Sequence, residues 1–134
     1  NMGPYAASEL VKAMIKAGHA VASARVLIMG FTFKENCPDL RNTRVIDVVK
    51  ELSEFGCRVD VTDCWASNEE AEHEYGITLS QNPEKAQYDA VLLAVPHREY
   101  VGRSSHDLRE YMKDNGVLFD LKGVLPLGEA DLRL

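Results

Sequence analysis

Near the start of the chain, Leu10, Val11, Met14 and Ile15 recur at helical spacing, with Pro4 suited to a first turn and Gly18 to a C-terminal cap. An amphipathic helix is predicted there. The apolar run "RVLIMGF", Arg25 to Phe31, lacks alternation, as expected of a strand buried on both sides. Asn42 or Thr43 can cap a second helix, whose apolar face is Val45, Val48, Val49, Leu52 and Phe55 before a stop at Gly56. "CRVDVTD" reads as the next strand and "SNEEAEHEYG" as a polar helix; "ITL" suggests a short extended piece and "NPEKA" one helical turn. "YDAVLLAV", Tyr88 to Val95, is the clearest buried strand. "SSHDLREYMKDNG" then has a serine cap and the helical pair Leu108 and Met112 before a glycine stop, and "VLFDLKG" supplies a last strand. The tail "GVLPLGEADLRL" reads as an extended segment packed on the surface or on a neighbour.

Strands alternating with helices over this length imply one α/β domain, a Rossmann-like open parallel sheet with helices on both faces, preceded by the N-terminal helix. Ligands of such sheets bind beyond the carboxyl ends of the strands, where the loops after Gly30, Asp63, Val95 and Asp120 should gather.

Composition narrows the partners. With 15 basic and 21 acidic side chains the net charge is -6, a field that repels nucleic acid, so no nucleic-acid partner is expected. No window suits a bilayer span, and no membrane partner is expected. Cys37, Cys57 and Cys64 form no C-x-x-C pair and no metal-ligand spacing, and their odd count fits a reducing cytoplasm better than a disulfide framework.

The loop "GFTFKENCPDLRNT" places a cation on either side of a strand mouth. Lys34 could meet a phosphate together with backbone N–H groups, or be a solvated lysine. Arg41 could hold a phosphate in bidentate fashion near a helix start, or pair with Asp39 across a turn. His97, beside another strand mouth, reads as a ligand donor or a hydrogen-bonded structural histidine; His19, His73 and His106 are expected to face solvent. Asp120 and Lys122 could share a ligand or form an exposed ion pair. Cys57 reads as core, Cys64 as a loop thiol beside Trp65, and Cys37 as a passive thiol, since no histidine is close in sequence to activate it. No G-x-G-x-x-G follows the first strand, so the usual dinucleotide fingerprint does not occur there.

"GFTFKENCPDLRNT" resembles the G-x-x-F-K-x-x-x-x-D-x-R-x-S/T motif that opens the C-terminal, nucleotide-sugar-binding domain of the UDP-glucose/GDP-mannose dehydrogenase family. "YDAVLLAVPHREY" and "LFDLKGVLP" extend the resemblance over nearly the whole chain, and "DLKGVLP" with "ADLRL" is most similar to the branch acting on UDP-N-acetylhexosamines for surface polysaccharides. The resemblance implies an enzyme that oxidises a sugar C6 alcohol to a carboxylate in successive NAD-dependent steps through a thioester on a cysteine. By it, Phe33 and Lys34 contact the UDP-sugar, Arg41 reaches the NAD pyrophosphate, and Lys122 occupies a position where many relatives carry a substrate-contacting arginine. Cys64 stands where proline is common, and Thr43 where serine is usual.

The family's G-G-x-C-type catalytic motif and its glycine fingerprint for NAD do not occur in this chain. None of its cysteines is therefore expected to be the nucleophile, no metal ligand is expected, and NAD is expected to be held mainly by an N-terminal domain. Residues 1–20 are read as the end of the family's central linking helix and 21–134 as the C-terminal domain, in a piece cut from a longer, homo-oligomeric enzyme and inactive alone. On that reading, the apolar face of the first helix, Leu10, Met14 and neighbours, would pack partly on the rest of the enzyme, so that isolation leaves an exposed patch there. A free-standing nucleotide-binding or assembly module without chemistry is the alternative.

Overall fold

The computed structural model describes residues 2–41 and 43–133. Strands β1 (Arg25–Met29), β2 (Arg58–Thr62), β3 (Tyr88–Leu93), β4 (Met112–Asp120) and β5 (Leu132–Arg133) form one parallel sheet in the order β2-β1-β3-β4-β5. Between and before them lie α1 (Met2–Lys16), α2 (Val45–Glu54), α3 (Asn68–Tyr75), α4 (Arg98–Val101) and α5 (Ser105–Arg109). The expected α/β architecture is what the chain adopts.

The unbroken apolar character of β1 has a direct cause. Val26 and Ile28 pack with Leu10 and Met14 of α1 and Val48 and Leu52 of α2, while Leu27 and Met29 pack with Tyr100 of α4 and Leu108 of α5. Successive side chains of a strand point to opposite faces, and here both faces are covered.

The α1 face is not left bare. Leu10 and Met14 are fully buried against α2 and β4, and among the described side chains of α1 the exposed large apolar ones are Tyr5 and Ile15. The chain leaves α1 through Gly18, at φ +92, as its cap position suggested. In α2 the Thr43 hydroxyl accepts from the Val45 N–H at 3.3 Å, whereas Asn42, the other expected cap, lies outside the described residues. Phe55 does not join the buried face; the helix ends at Glu54 and its ring is left exposed. Ser67 and Gly76 close α3 at its two ends, the first accepting from the Glu70 N–H and the second adopting a left-handed conformation.

Other expectations fail for identifiable reasons. Residues 82–86 make a turn through Ala86, at φ +60, rather than a helical turn. The helix capped by Ser104 stops at Arg109, and Met112 already begins β4. Pairing decides this: the Gln87 and Tyr88 N–H groups donate to the Tyr111 carbonyl, and a register irregularity between Tyr88 and Ala90 lets β4 run on past Asn115, which sits at φ +66. Gly116 is no helix stop, because it lies within β4, where a Cβ would come 2.5 Å from the Met112 Cβ. The tail is not the single extended segment expected: it bends and turns between Leu125 and Asp131, with Gly128 at φ +87, and only Leu132 and Arg133 are extended, pairing with Phe119 and Asp120 as an edge strand.

Candidate functional site

In the strand order β2-β1-β3-β4-β5 the connections from β1 and β3 leave toward opposite edges of the sheet, which opens a crevice beyond their carboxyl ends. Gly30 makes the crevice possible. It sits at φ +103, and a Cβ on it would lie 2.5 Å from the Val95 Cβ and 2.6 Å from its backbone nitrogen, so only glycine lets the β1 and β3 loops close on each other.

A buried carboxylate organises the rim. Asp63 Oδ2 accepts from the N–H groups of Phe31 (2.5 Å) and Thr32 (3.2 Å) and from His97 Nε2 (2.9 Å), while Oδ1 accepts from the N–H groups of Trp65 and Ala66. The Asn36 N–H donates to His97 Nδ1 at 2.9 Å, which places the ring proton on Nε2, facing Asp63. Asp63 and His97 side chains are both fully buried. Of the two readings of His97, the hydrogen-bonded structural one is what the geometry shows. Burial pushes the Asp63 carboxyl up, and the hydrogen bonds from His97, Phe31 and Trp65 outweigh it, holding the group below its ordinary range.

On this frame the β1 loop presents Phe33, half exposed, and Lys34, exposed, whose carbonyl accepts from the Thr32 hydroxyl at 2.9 Å. A cleft of about 40 Å³ lies between this loop, the start of α2 and the end of β4, and Phe33, Arg44, Val95 and Lys122 line it. Phe33 and Lys122, far apart in sequence, are thus brought together. Arg44, at the N-cap position of α2, is the cation that sequence reasoning missed; its place beside the expected cap in "RNTR" was the available signal. The cleft has room for little more than a water, so a ligand would lie across its rim, where an aromatic ring, exposed cations and a helix N-terminus suit a planar group next to an anion.

Arg41 lies elsewhere. It borders an open groove of about 580 Å³ with Cys37, Asp39, Glu70 and Glu74, and its Nε and Nη2 donate to the two Asp39 carboxylate oxygens at 3.1 Å each. Of the two readings of Arg41, the surface pair with Asp39 is formed, and it holds the Asp39 carboxyl below its ordinary range. Asp120 and Lys122 do not form the ion pair considered for them: the buried Asp120 carboxylate accepts from the Val124 and Leu125 N–H groups, and Lys122 is exposed. His73 and His106 face solvent, whereas His19 does not, lying 3.2 Å from Asp89 through Nδ1 and 2.6 Å from the Asn115 carbonyl through Nε2.

Two of the three thiols, Cys57 and Cys64, fit a passive role. Burial pushes Cys57 up, and burial likewise raises Cys64, whereas an attacking thiol needs the opposite shift. The residues after β1 also fail to form a dinucleotide cradle, since the space before Gly30 is filled by Val95 and the following positions carry Phe31, Thr32 and Phe33. The guanidinium of Arg41, the residue expected to contact a cofactor, is exposed. Among the described residues no helix is long and apolar enough to cross a membrane.

Comparison with known proteins agrees with this arrangement. The chain is 52% identical over 134 residues to a UDP-N-acetyl-D-glucosamine 6-dehydrogenase of Salmonella typhi, covering 100% of this chain and 32% of that protein. It is 52% identical over 133 residues to the enzyme of the same name from Pseudomonas aeruginosa, covering 99% and 32%. The chain thus spans about a third of the length of these relatives. Among solved structures, an NDP-N-acetyl-D-galactosaminuronic acid dehydrogenase from Methanosarcina mazei superposes with a TM-score of 0.79 at 24% identity, over 92% of this chain and 26% of that one. A UDP-D-ManNAc dehydrogenase from Pyrococcus horikoshii does so at 0.75 and 19%, over 97% and 30%, and both likenesses speak to the fold. Residues 27–126, which include the Gly30 loop, the Asp63 hub and Lys122, match the UDP binding domain of a known family. The chain belongs to the UDP-glucose/GDP-mannose dehydrogenase family.

Proposed function

We propose that this chain is the UDP-sugar-binding part of an NAD-dependent nucleotide-sugar 6-dehydrogenase, one that oxidises the sugar C6 alcohol to a carboxylate in the cytoplasm for surface polysaccharide synthesis. The observation that carries the reading is the convergence of Phe33, Arg44 and Lys122 on one cleft at the sheet's switch point, inside the region that matches the family's UDP binding domain. Names and identities of the two bacterial relatives support a UDP-N-acetylhexosamine as the sugar. In this proposal residues 1–20 end the linking helix, 21–134 form the nucleotide-sugar domain, and the parent enzyme is a homo-oligomer.

Each residue then has a physical task. Phe33 packs against the nucleotide, Lys34 neutralises its diphosphate, and Lys122 adds a second cation as a point charge without the planar fork of an arginine. Arg41 exchanges Asp39 for the NAD pyrophosphate; the arginine's side of the pair is open to solvent, and a solvent-exposed pair is a weak competitor for a doubly charged ligand. NAD, when bound, accepts hydride from the sugar C6. The domain contributes position and charge neutralisation, and none of its cysteines serves as the nucleophile.

Calorimetric titration with UDP and with UDP-N-acetylglucosamine tests this. Wild-type chain should bind UDP, and Lys34→Ala should weaken binding about tenfold or more, the worth of one charge-assisted contact. A folded chain that binds neither ligand overturns the assignment of Phe33 and Lys34.

A further inference from the structure

A second cavity opens at the same edge of the sheet, on the side of α4 and α5, away from Phe33 and Lys122. Its inner lobe, about 300 Å³, is floored by Met29 and walled by Asn82, Pro83, Tyr100 and Arg103. An outer lobe of about 290 Å³ shares Lys85, Arg103 and Tyr111 with it. The inner lobe alone reaches the lower end of the size range of small-molecule sites, about 300 Å³.

Arg103 is the arginine that lines both lobes. Arg25, Arg41 and Arg109 each pair with a carboxylate, at 3.2, 3.1 and 3.0 Å, whereas Arg44, Arg58, Arg98 and Arg133 do not among the described residues. Arg103 forms no ion pair among the described residues; it donates from Nη1 to the Tyr111 hydroxyl at 2.7 Å and lies 5.8 and 6.0 Å from the ring centres of Tyr100 and Tyr111. The phenol fixes the guanidinium and leaves most of its N–H donors unused. Tyr111, accepting from Arg103, keeps its own hydroxyl hydrogen to donate. In a chain of net charge -6, a guanidinium fixed by aromatic rings and not by a carboxylate is a cation held ready for a ligand.

The carboxylates nearby do not cancel it. Asp63 borders the inner lobe, but its oxygens are taken up by four backbone N–H groups and His97. Glu110 is paired with Lys85 at 3.2 Å, and Asp107 belongs to the outer lobe only. The inner lobe is therefore rich in donors, with Asn82 and Gln81 amides at its mouth and an apolar floor.

We propose that this cavity binds a small phosphate monoester, its phosphate on Arg103 and the Tyr111 hydroxyl and its organic part over Met29 and Pro83. The site is separate from the UDP cleft and does not depend on that reading.

The test is a residue-resolved NMR titration of the chain with phenyl phosphate, with inorganic phosphate as a second arm. Saturable shifts at Arg103, Tyr111 and Asn82 in the millimolar range are expected, with phenyl phosphate binding several-fold tighter because only the ester covers the apolar floor. Equal affinity for the two probes would overturn the ester and leave an adventitious ion only. Arg103→Gln should abolish these shifts and leave any response at Lys34 intact, and Tyr111→Phe, which keeps the ring, should weaken binding several-fold. Shifts confined to Phe33, Lys34 and Lys122, or an Arg103→Gln chain that titrates like wild type, would overturn the site. Loss of UDP binding in Lys34→Ala alone bears on the other cleft and not on this one.

Discussion

At the scale of single residues, Asp63 keeps its charge where water does not reach, because hydrogen bonds from His97 and from backbone N–H groups stand in for solvent. Its carboxyl is held below the ordinary value of 3.8, so the unfolded chain takes up a proton before the folded one does. The stability it supplies is whole above that ordinary value and is lost as pH falls through the lower folded value. Asp63→Asn turns an acceptor into a donor against the Phe31 and Thr32 N–H groups or against Trp65 and Ala66. It should cost about 2–4 kcal/mol in urea unfolding at neutral pH. The gap from wild type should close as pH drops below 3.8; a cost under about 1 kcal/mol, typical of a replaceable hydrogen bond, would contradict the account. The Asp39–Arg41 pair was legible in the sequence, since both partners lie within one turn. The Asp63 hub was not, because its donors come from positions 31, 32, 65, 66 and 97, and no local pattern links them.

At the scale of elements, periodicity identified α1, α2, α3 and the strands β1 to β3 to within a residue or two. It misread the stretch from Ser104 to Gly116 because Leu108 and Met112 have helical spacing while serving different elements, α5 and β4. Pairing with β3 outweighs spacing there, and such pairing is invisible in a single segment. The strand-end glycine was visible, but its reason was not. Gly30→Ala combines a positive φ with a clash against Val95 and should destabilise by about 2–4 kcal/mol in thermal unfolding. Gly128→Ala, at φ +87 with open space around it, should cost only about 1 kcal/mol. Equal costs at the two positions would mean that the close approach of the β1 and β3 loops contributes nothing.

At the scale of the whole molecule, α1 is part of the core against which the sheet packs, although the family resemblance suggested a helix end with an exposed apolar face. Leu10 lies fully buried, so Leu10→Ala should lower stability by about 2–5 kcal/mol, read as a shift of the denaturation midpoint; an unchanged midpoint would show that α1 rests loosely on the domain. The general class of the molecule and the loop that bears Phe33 and Lys34 could be read from the sequence, whereas the meeting of Phe33 with Lys122 depends on strand order and could not.

The sharing of one carboxylate among loops that follow three different strands has a further consequence for motion. The segments after β1, β2 and β3 cannot loosen one at a time without stranding an N–H group or the charge itself, so they form a single cooperative unit of local opening. Whatever ligand this rim binds meets loops that are already ordered together, and the entropy of arranging them is spent in folding and not in recognition.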